Sequence, residues 1–101
     1  VARGSGRLDM YQIVATKRFK RQLKKLVRSN NKLARQLLSV VDQIAAGRTL
    51  DALYRDHQLK GKLYLFRECH IEPDWLLVYR IDNEVFVLQL VATGSHSNLF
   101  Q

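Results

Sequence analysis

Residues 63–94, LYLFRECHIEPDWLLVYRIDNEVFVLQLVATG, decide the fold. Three apolar runs, at 63–69, 75–81 and 85–91, are each strand-length and rich in aromatic and β-branched residues, which suit a pleated surface. Asp82 and Asn83 tolerate positive φ and fit a two-residue hairpin turn between the last two runs. The connection 70–74 contains Pro73, which has no N–H to give to a ladder and therefore suits a loop. An antiparallel meander is expected.

Upstream the period changes from two to 3.6. Phe19, Leu23, Leu26 and Val27 recur at helical spacing after Thr16, a good N-cap residue. Ser29, Asn30 and Asn31 break that helix, and a second spans about 32–46 with Leu33, Leu37, Val40, Val41 and Ile44 on its buried face and Gly47 at its C-cap. The two read as an αα-hairpin. Residues 11–15 form a short β-branched and aromatic run, hence a further strand. The expected class is α+β: strand, two helices, three strands, with a mainly antiparallel sheet packed on the helical hairpin.

The chain has 101 residues, 47% of them hydrophobic, which suits one core and one domain. Residues 1–9 have no period and resemble an expression-derived segment, with Met10 as the natural start and the domain over 10–101. The apolar stretch from Trp75 to Tyr79 is far shorter than the ~20 residues of a membrane span, and no apolar signal segment is visible, so a soluble, cytoplasmic protein is expected, with no membrane partner. Cys69 is the sole cysteine, which excludes an internal disulfide and a CxxC pair and leaves it as an apolar filler.

The formal charge is +8, which points to an anionic partner without separating RNA, DNA and acidic protein. Residues 1–60 hold 14 Lys and Arg against 4 Asp and Glu, net +10, whereas 61–101 hold 3 against 5, net −2. Within the basic half, Lys17, Arg21, Lys24 and Arg28 recur on one helical stripe away from Phe19, Leu23 and Leu26. Such a stripe is either a solvated face or a row of phosphate contacts.

The three histidines, His57, His70 and His96, fall in expected loops or at strand ends, where a rigid scaffold commonly holds catalytic groups. In a meander, the outer two strands end at one edge of the sheet, so His70, Asp74 and His96 gather there. His57 precedes its strand and starts at the opposite edge. Paired imidazoles suit RNA cleavage: a base takes the ribose 2′-hydroxyl proton, an acid protonates the departing 5′-oxygen, and imidazole titrates near pH ~6.5. Arg67 or Arg80 would meet the phosphate through a bidentate guanidinium, or else pair with Glu68 or Asp82. No HExxH, EF-hand or cysteine cluster is present, and Gly94 is alone in its loop without a following lysine, so neither a metal nor a nucleotide cofactor is expected.

Three segments carry a more specific signal. Tyr54-Arg55-Asp56-His57-Gln58-Leu59-Lys60-Gly61, Arg67-Glu68-Cys69-His70-Ile71-Glu72-Pro73-Asp74-Trp75-Leu76-Leu77-Val78-Tyr79 and Thr93-Gly94-Ser95-His96-Ser97-Asn98-Leu99-Phe100 resemble the YafQ family of toxins in the RelE/ParE superfamily. The resemblance implies a RelE-like fold and a ribosome-dependent endoribonuclease, an mRNA interferase, neutralised by a cognate antitoxin in a type II pair. It implies catalytic roles for His57, His70, Asp74 and His96, contributions from Trp75 and Phe100, and, through a weaker match, a phosphate-binding Arg67. Trp75 would stack on a base, or simply close the core; Phe100 needs to dock near His96. The partners implied are mRNA on the ribosome and an antitoxin, whose acidic, partly disordered segment would complement the net +10 of residues 1–60. Two rivals are a non-nucleolytic ParE-like toxin, which would lack the Asp74 and His96 pattern, and a basic DNA-binding domain, which would need a recognition helix that neither helix resembles.

Overall fold

The computed structural model describes residues 9–100. The reading of residues 1–9 as an expression-derived segment lies, for residues 1–8, outside the described residues. The elements are β1 (Gln12–Ala15), α1 (Lys17–Ser29), α2 (Asn31–Ala45), β2 (His57–Gln58), β3 (Arg67–Glu72), β4 (Trp75–Asp82), β5 (Val87–Gly94) and the short α3 (His96–Phe100), with 3-10 turns at Ala52–Tyr54 and Gly61–Leu63. The sheet order is β1-β5-β4-β3-β2. β1 lies parallel to β5, and every other pairing is antiparallel.

Local chemistry explains the helical boundaries. Thr16 Oγ1 accepts from the Phe19 N–H at 3.0 Å, a cap of about 1 kcal/mol. Asn30 serves both helices: its N–H donates to Leu26 O at the end of α1 and its side chain accepts from the Leu33 N–H at the start of α2. Gly47, at φ 78, follows the Ala46 C-cap and donates to Ile44 O, and a Cβ there would meet Met10 Cε at 2.9 Å. The expected buried stripe of α2 is in the core, where Leu33, Leu37, Val40, Val41 and Ile44 meet Phe19 and Leu26 of α1 and Cys69, Ile71, Leu77, Tyr79, Leu88 and Leu90 of the sheet.

Several boundaries differ from the sequence expectation. Val27 is exposed rather than on the buried face of α1. The run 63–69 is not a strand throughout: Gly61, at φ 65, turns the chain into a 3-10 turn, Gln58 Nε2 holds Tyr64 O at 2.6 Å, and Leu63, Tyr64 and Leu65 face solvent. β3 instead extends through His70 to Glu72, because Pro73 and Asp74 alone suffice for the turn. The turn after β4 is also longer than two residues. Asp82 stays in the strand and its carboxylate accepts from the Glu84 N–H, while Phe86 takes the positive φ of 54, so β5 starts two residues later than expected. The two-residue β2 was not anticipated.

Candidate active site

Strand alternation sorts the functional side chains onto two faces. On β3, Arg67, Cys69 and Ile71 share the helix-packed side with Tyr79 and Leu77, whereas Glu68 and His70 share the other with Leu76 and Val78. That second face is covered by α3 and the 59–66 loop, leaving an apolar groove of about 220 Å³ among Leu59, Leu63, Phe66, Ala92, Leu99 and Phe100. β2 places His57 directly opposite Glu68, and so brings it to the histidine-bearing face that strand order alone had denied it.

Glu68 is the centre of this cluster. Its Oε1 lies 3.6 Å from His57 Nε2 and 3.7 Å from His70 Nε2, close approaches longer than hydrogen bonds that become ion pairs only when an imidazole is protonated. Each imidazole is oriented from its other nitrogen: His57 Nδ1 is 2.7 Å from Arg55 O and His70 Nδ1 is 3.3 Å from Pro73 O. A backbone carbonyl can only accept, so both rings carry their proton on Nδ1 when neutral and turn Nε2 toward the site. The Arg55 carbonyl is aimed by a left-handed backbone at φ 50, a conformation that costs a non-glycine residue about 1–3 kcal/mol. Glu68 is buried and His57 half-exposed, so one carboxylate is fixed while one ring meets solvent.

His96 and Phe100 form a second pair, with ring centroids 5.3 Å apart and planes tilted by 46°. His70, Leu76 and Gly94 lie in one row across three strands, and His96 follows two residues later. Gly94 matters here because a Cβ would sit 3.2 Å from Leu99 Cδ2; its absence lets α3 fold tightly against β5. Asp74 is exposed in the turn between β3 and β4.

The remaining candidates lie elsewhere. Arg67 faces the helices and donates to Asp56 at 3.0 Å, and Tyr79 Oη donates to the other oxygen of Asp56 at 2.5 Å. Burial pulls Arg67 down, but its hydrogen bonds with Asp56 and Tyr79 outweigh that and hold the guanidinium above its ordinary value. Burial, and then the Asp56 hydrogen bond, push the Tyr79 hydroxyl up. Asp56 immediately precedes His57, so this network anchors β2. Arg80 lies toward the far end of β4, beside Asp82 and Val85. Trp75 packs against the core and donates to Thr93 Oγ1 at 2.9 Å, while the Thr93 N–H donates to Gln22 of α1. Lys17, Arg21, Lys24 and Arg28 are exposed along α1. Sequence reasoning considered Glu68 only as an ion-pair partner for Arg67, which pairs instead with Asp56, a residue it did not single out, although the two-residue spacing of Glu68 and His70 on a strand signals a shared face. Arg18, outside the stripe, borders the groove beside Phe100. Among the described residues, no group of three or more His, Cys, Asp and Glu is arranged to hold a metal ion, and no helix is long and apolar enough to cross a membrane.

With this geometry in view, comparison with known proteins is direct. A toxin from Helicobacter pylori, solved metal-bound, superposes with TM-score 0.83 at 46% identity over 90% of this chain and all of the other. YafQ in the Escherichia coli DinJ-YafQ complex superposes with TM-score 0.79 at 27% identity, over 90% of this chain and 99% of that one. The mRNA interferase toxin YafQ of Escherichia coli K12 is 41% identical over 51 residues; the match spans 50% of this chain and about half, 53%, of that protein. The family described as the YafQ bacterial toxin of type II toxin-antitoxin systems matches residues 11–101. The RelE-like sheet and helical hairpin agree with that match, and the chain belongs to the YafQ family of bacterial toxins of type II toxin-antitoxin systems.

Proposed function

We propose that residues 10–101 are a single toxin domain that cleaves mRNA on the ribosome by histidine acid-base chemistry. The observation that carries the reading is the convergence of the His57 and His70 Nε2 atoms on Glu68. In the proposed step, one imidazole takes the 2′-hydroxyl proton, the 2′-oxygen attacks phosphorus, the bond to the 5′-oxygen breaks, and a second imidazole protonates that oxygen. Glu68 balances the imidazolium formed in turnover. Asp74 and the His96–Phe100 pair complete the site from the neighbouring turn and from α3, and Arg67, Arg80 and Trp75 are the candidates for phosphate and base contacts. These groups move protons without a metal; a stoichiometric transition metal bound by His70, Asp74 and His96 in the isolated protein would overturn that part.

Translated message places the action in the cytoplasm. The antitoxin partner is supported by relatives solved as DinJ-YafQ complexes, and the exposed stripe Lys17, Arg21, Lys24 and Arg28 is the favoured surface both for ribosomal RNA and for an acidic antitoxin segment. The deciding experiment is primer extension on a translated message with and without the protein. Cuts at defined codon positions that require ribosomes are expected; intact message would refute the nuclease.

A further inference from the structure

A second groove, of about 330 Å³, opens beside His70 between Leu53, Arg55, Ile71, Glu72 and Pro73, near the small end of the ~300–1,000 Å³ range of ligand sites. It follows the outer edge of β3 past the point where β2 stops pairing, at Glu68. Its walls are apolar, and Leu53 is 76% exposed, more than any other large hydrophobic side chain among the described residues. Nothing in the core explains that exposure. Asp51 caps the 3-10 turn that carries Leu53, so the side chain is presented by ordered backbone. The next turn residue but one is Arg55, in its left-handed conformation.

We propose that this groove holds the nucleotide next to the scissile phosphate of the RNA, its base lying on Leu53 and Pro73, with Arg55 on the adjoining phosphate. The inference rests on the nuclease reading above and assigns its substrate subsite. Three features select a nucleotide: the groove shares His70 with the proposed reacting groups, Arg55 supplies a cation at its mouth, and apolar walls suit the face of a base, whose contacts need no particular sequence. Glu72, the one carboxylate in the wall, can accept a hydrogen bond from an exocyclic amine and so discriminate among bases.

Arg55→Gly and Leu53→Ser test it cleanly. Glycine adopts the left-handed backbone without strain and retains the carbonyl that orients His57, so the first variant removes the Arg55 side chain and its charge without disturbing that contact. Leu53 is exposed, so the second leaves the core intact. Single-turnover cleavage on ribosomes programmed with a defined message is read at several salt concentrations, with His70→Ala as a control. Arg55→Gly is expected to raise the half-saturating protein concentration about 3- to 10-fold, keep the pattern of cut codons, and lower the salt slope by about 0.7, one phosphate contact on a single strand. Leu53→Ser is expected to raise the half-saturating concentration about 5-fold or more, again with the pattern of cut codons kept. Unchanged saturation in both variants, with His70→Ala inactive, would refute the groove and leave the nuclease standing. Wild-type protein that cuts nothing, or His70→Ala that cuts normally, would remove the reading on which the groove depends. Variants that weaken antitoxin binding alone would make the groove a protein-docking site and overturn the proposal.

Discussion

The two faces of the sheet use the same strands for opposite ends. Along β3 the helix-packed face receives Arg67, Cys69 and Ile71, and the other receives Glu68 and His70. On the first, Tyr79, Asp56 and Arg67 are tied to one another by hydrogen bonds beside an open cavity of about 600 Å³, and the residues toward the helices form the apolar core. On the second, imidazole nitrogens stand near a carboxylate without short hydrogen bonds to it, under a thin cover of α3 and a loop. A one-residue step along a strand separates stability from chemistry, so the two should fail independently.

The largest expected effect tests that independence from the reactive side. His70→Ala and His96→Ala should each lower cleavage ~10²-fold or more, as for removal of a general acid or base, while the thermal midpoint stays near that of the wild type. A cleaving, folded variant would remove that histidine from the mechanism. From the other side, Leu37→Ala deletes a side chain that is 0% exposed and should cost roughly 2–5 kcal/mol in urea unfolding, with the cleavage rate per folded molecule unchanged. Loss of rate at full folding would show that the faces are coupled.

Asp56 spans the two. Asp56→Ala leaves the buried Tyr79 hydroxyl without its acceptor and should cost about 1–3 kcal/mol, and because Asp56 anchors the strand bearing His57 it should also slow cleavage. Denaturation and kinetics on one preparation check both; a stability loss with unchanged kinetics would confine the network to the core. A pH-dependent effect belongs to the helix-packed face alone. Burial pushes the Cys69 thiol up from 9.0 to about 12, and Tyr79 is raised as well. The folded state therefore keeps protons that the unfolded chain has released, so stability is full below about pH 9 and falls as pH rises toward 12, by at most ~1.4 kcal/mol per pH unit for one group. Unfolding free energies measured between pH 8 and 11 should show the decline, and Cys69→Ala should make it shallower; an equal slope would clear the thiol.

The smallest effect concerns neither face. Arg21→Glu with Lys24→Glu should change stability by less than ~0.5 kcal/mol, yet slow antitoxin association, more at low salt than at high. An unchanged association rate at low ionic strength would reduce the stripe to a solvated surface.

The same division explains what the sequence disclosed. Periodicity reports burial, so the core positions of α2 and the existence of β3, β4 and β5 were legible, as was the cap Thr16, whose side chain acts on its own neighbour; Asn30 was read only as a helix breaker, although it caps α2. Boundaries set by competition were not: Leu63 and Leu65 read as strand, yet a positive-φ glycine and a hydrogen bond from Gln58 hold them in a loop. His57 was placed at the wrong edge because a two-residue strand leaves no periodic trace, and only the family motif brought it to the site. Arg67 was within the legible strand, but its partner Asp56 lies eleven residues away, across a loop that no local rule predicts. His96 and Phe100 were expected to need each other, and their rings are in contact.

The position of β5 has a consequence in time. It is the last of the described strands along the chain, yet it lies between β1 and β4, and it joins residues such as Gln12 and Val87. A nascent chain that has not reached Val87 has no strand to connect its first segment to the rest of the sheet, and pairings this distant along the chain form slowly even when both partners are present. His96 follows immediately behind. Growing chains therefore lack both the completed sheet and the third imidazole until residues 87–96 have emerged.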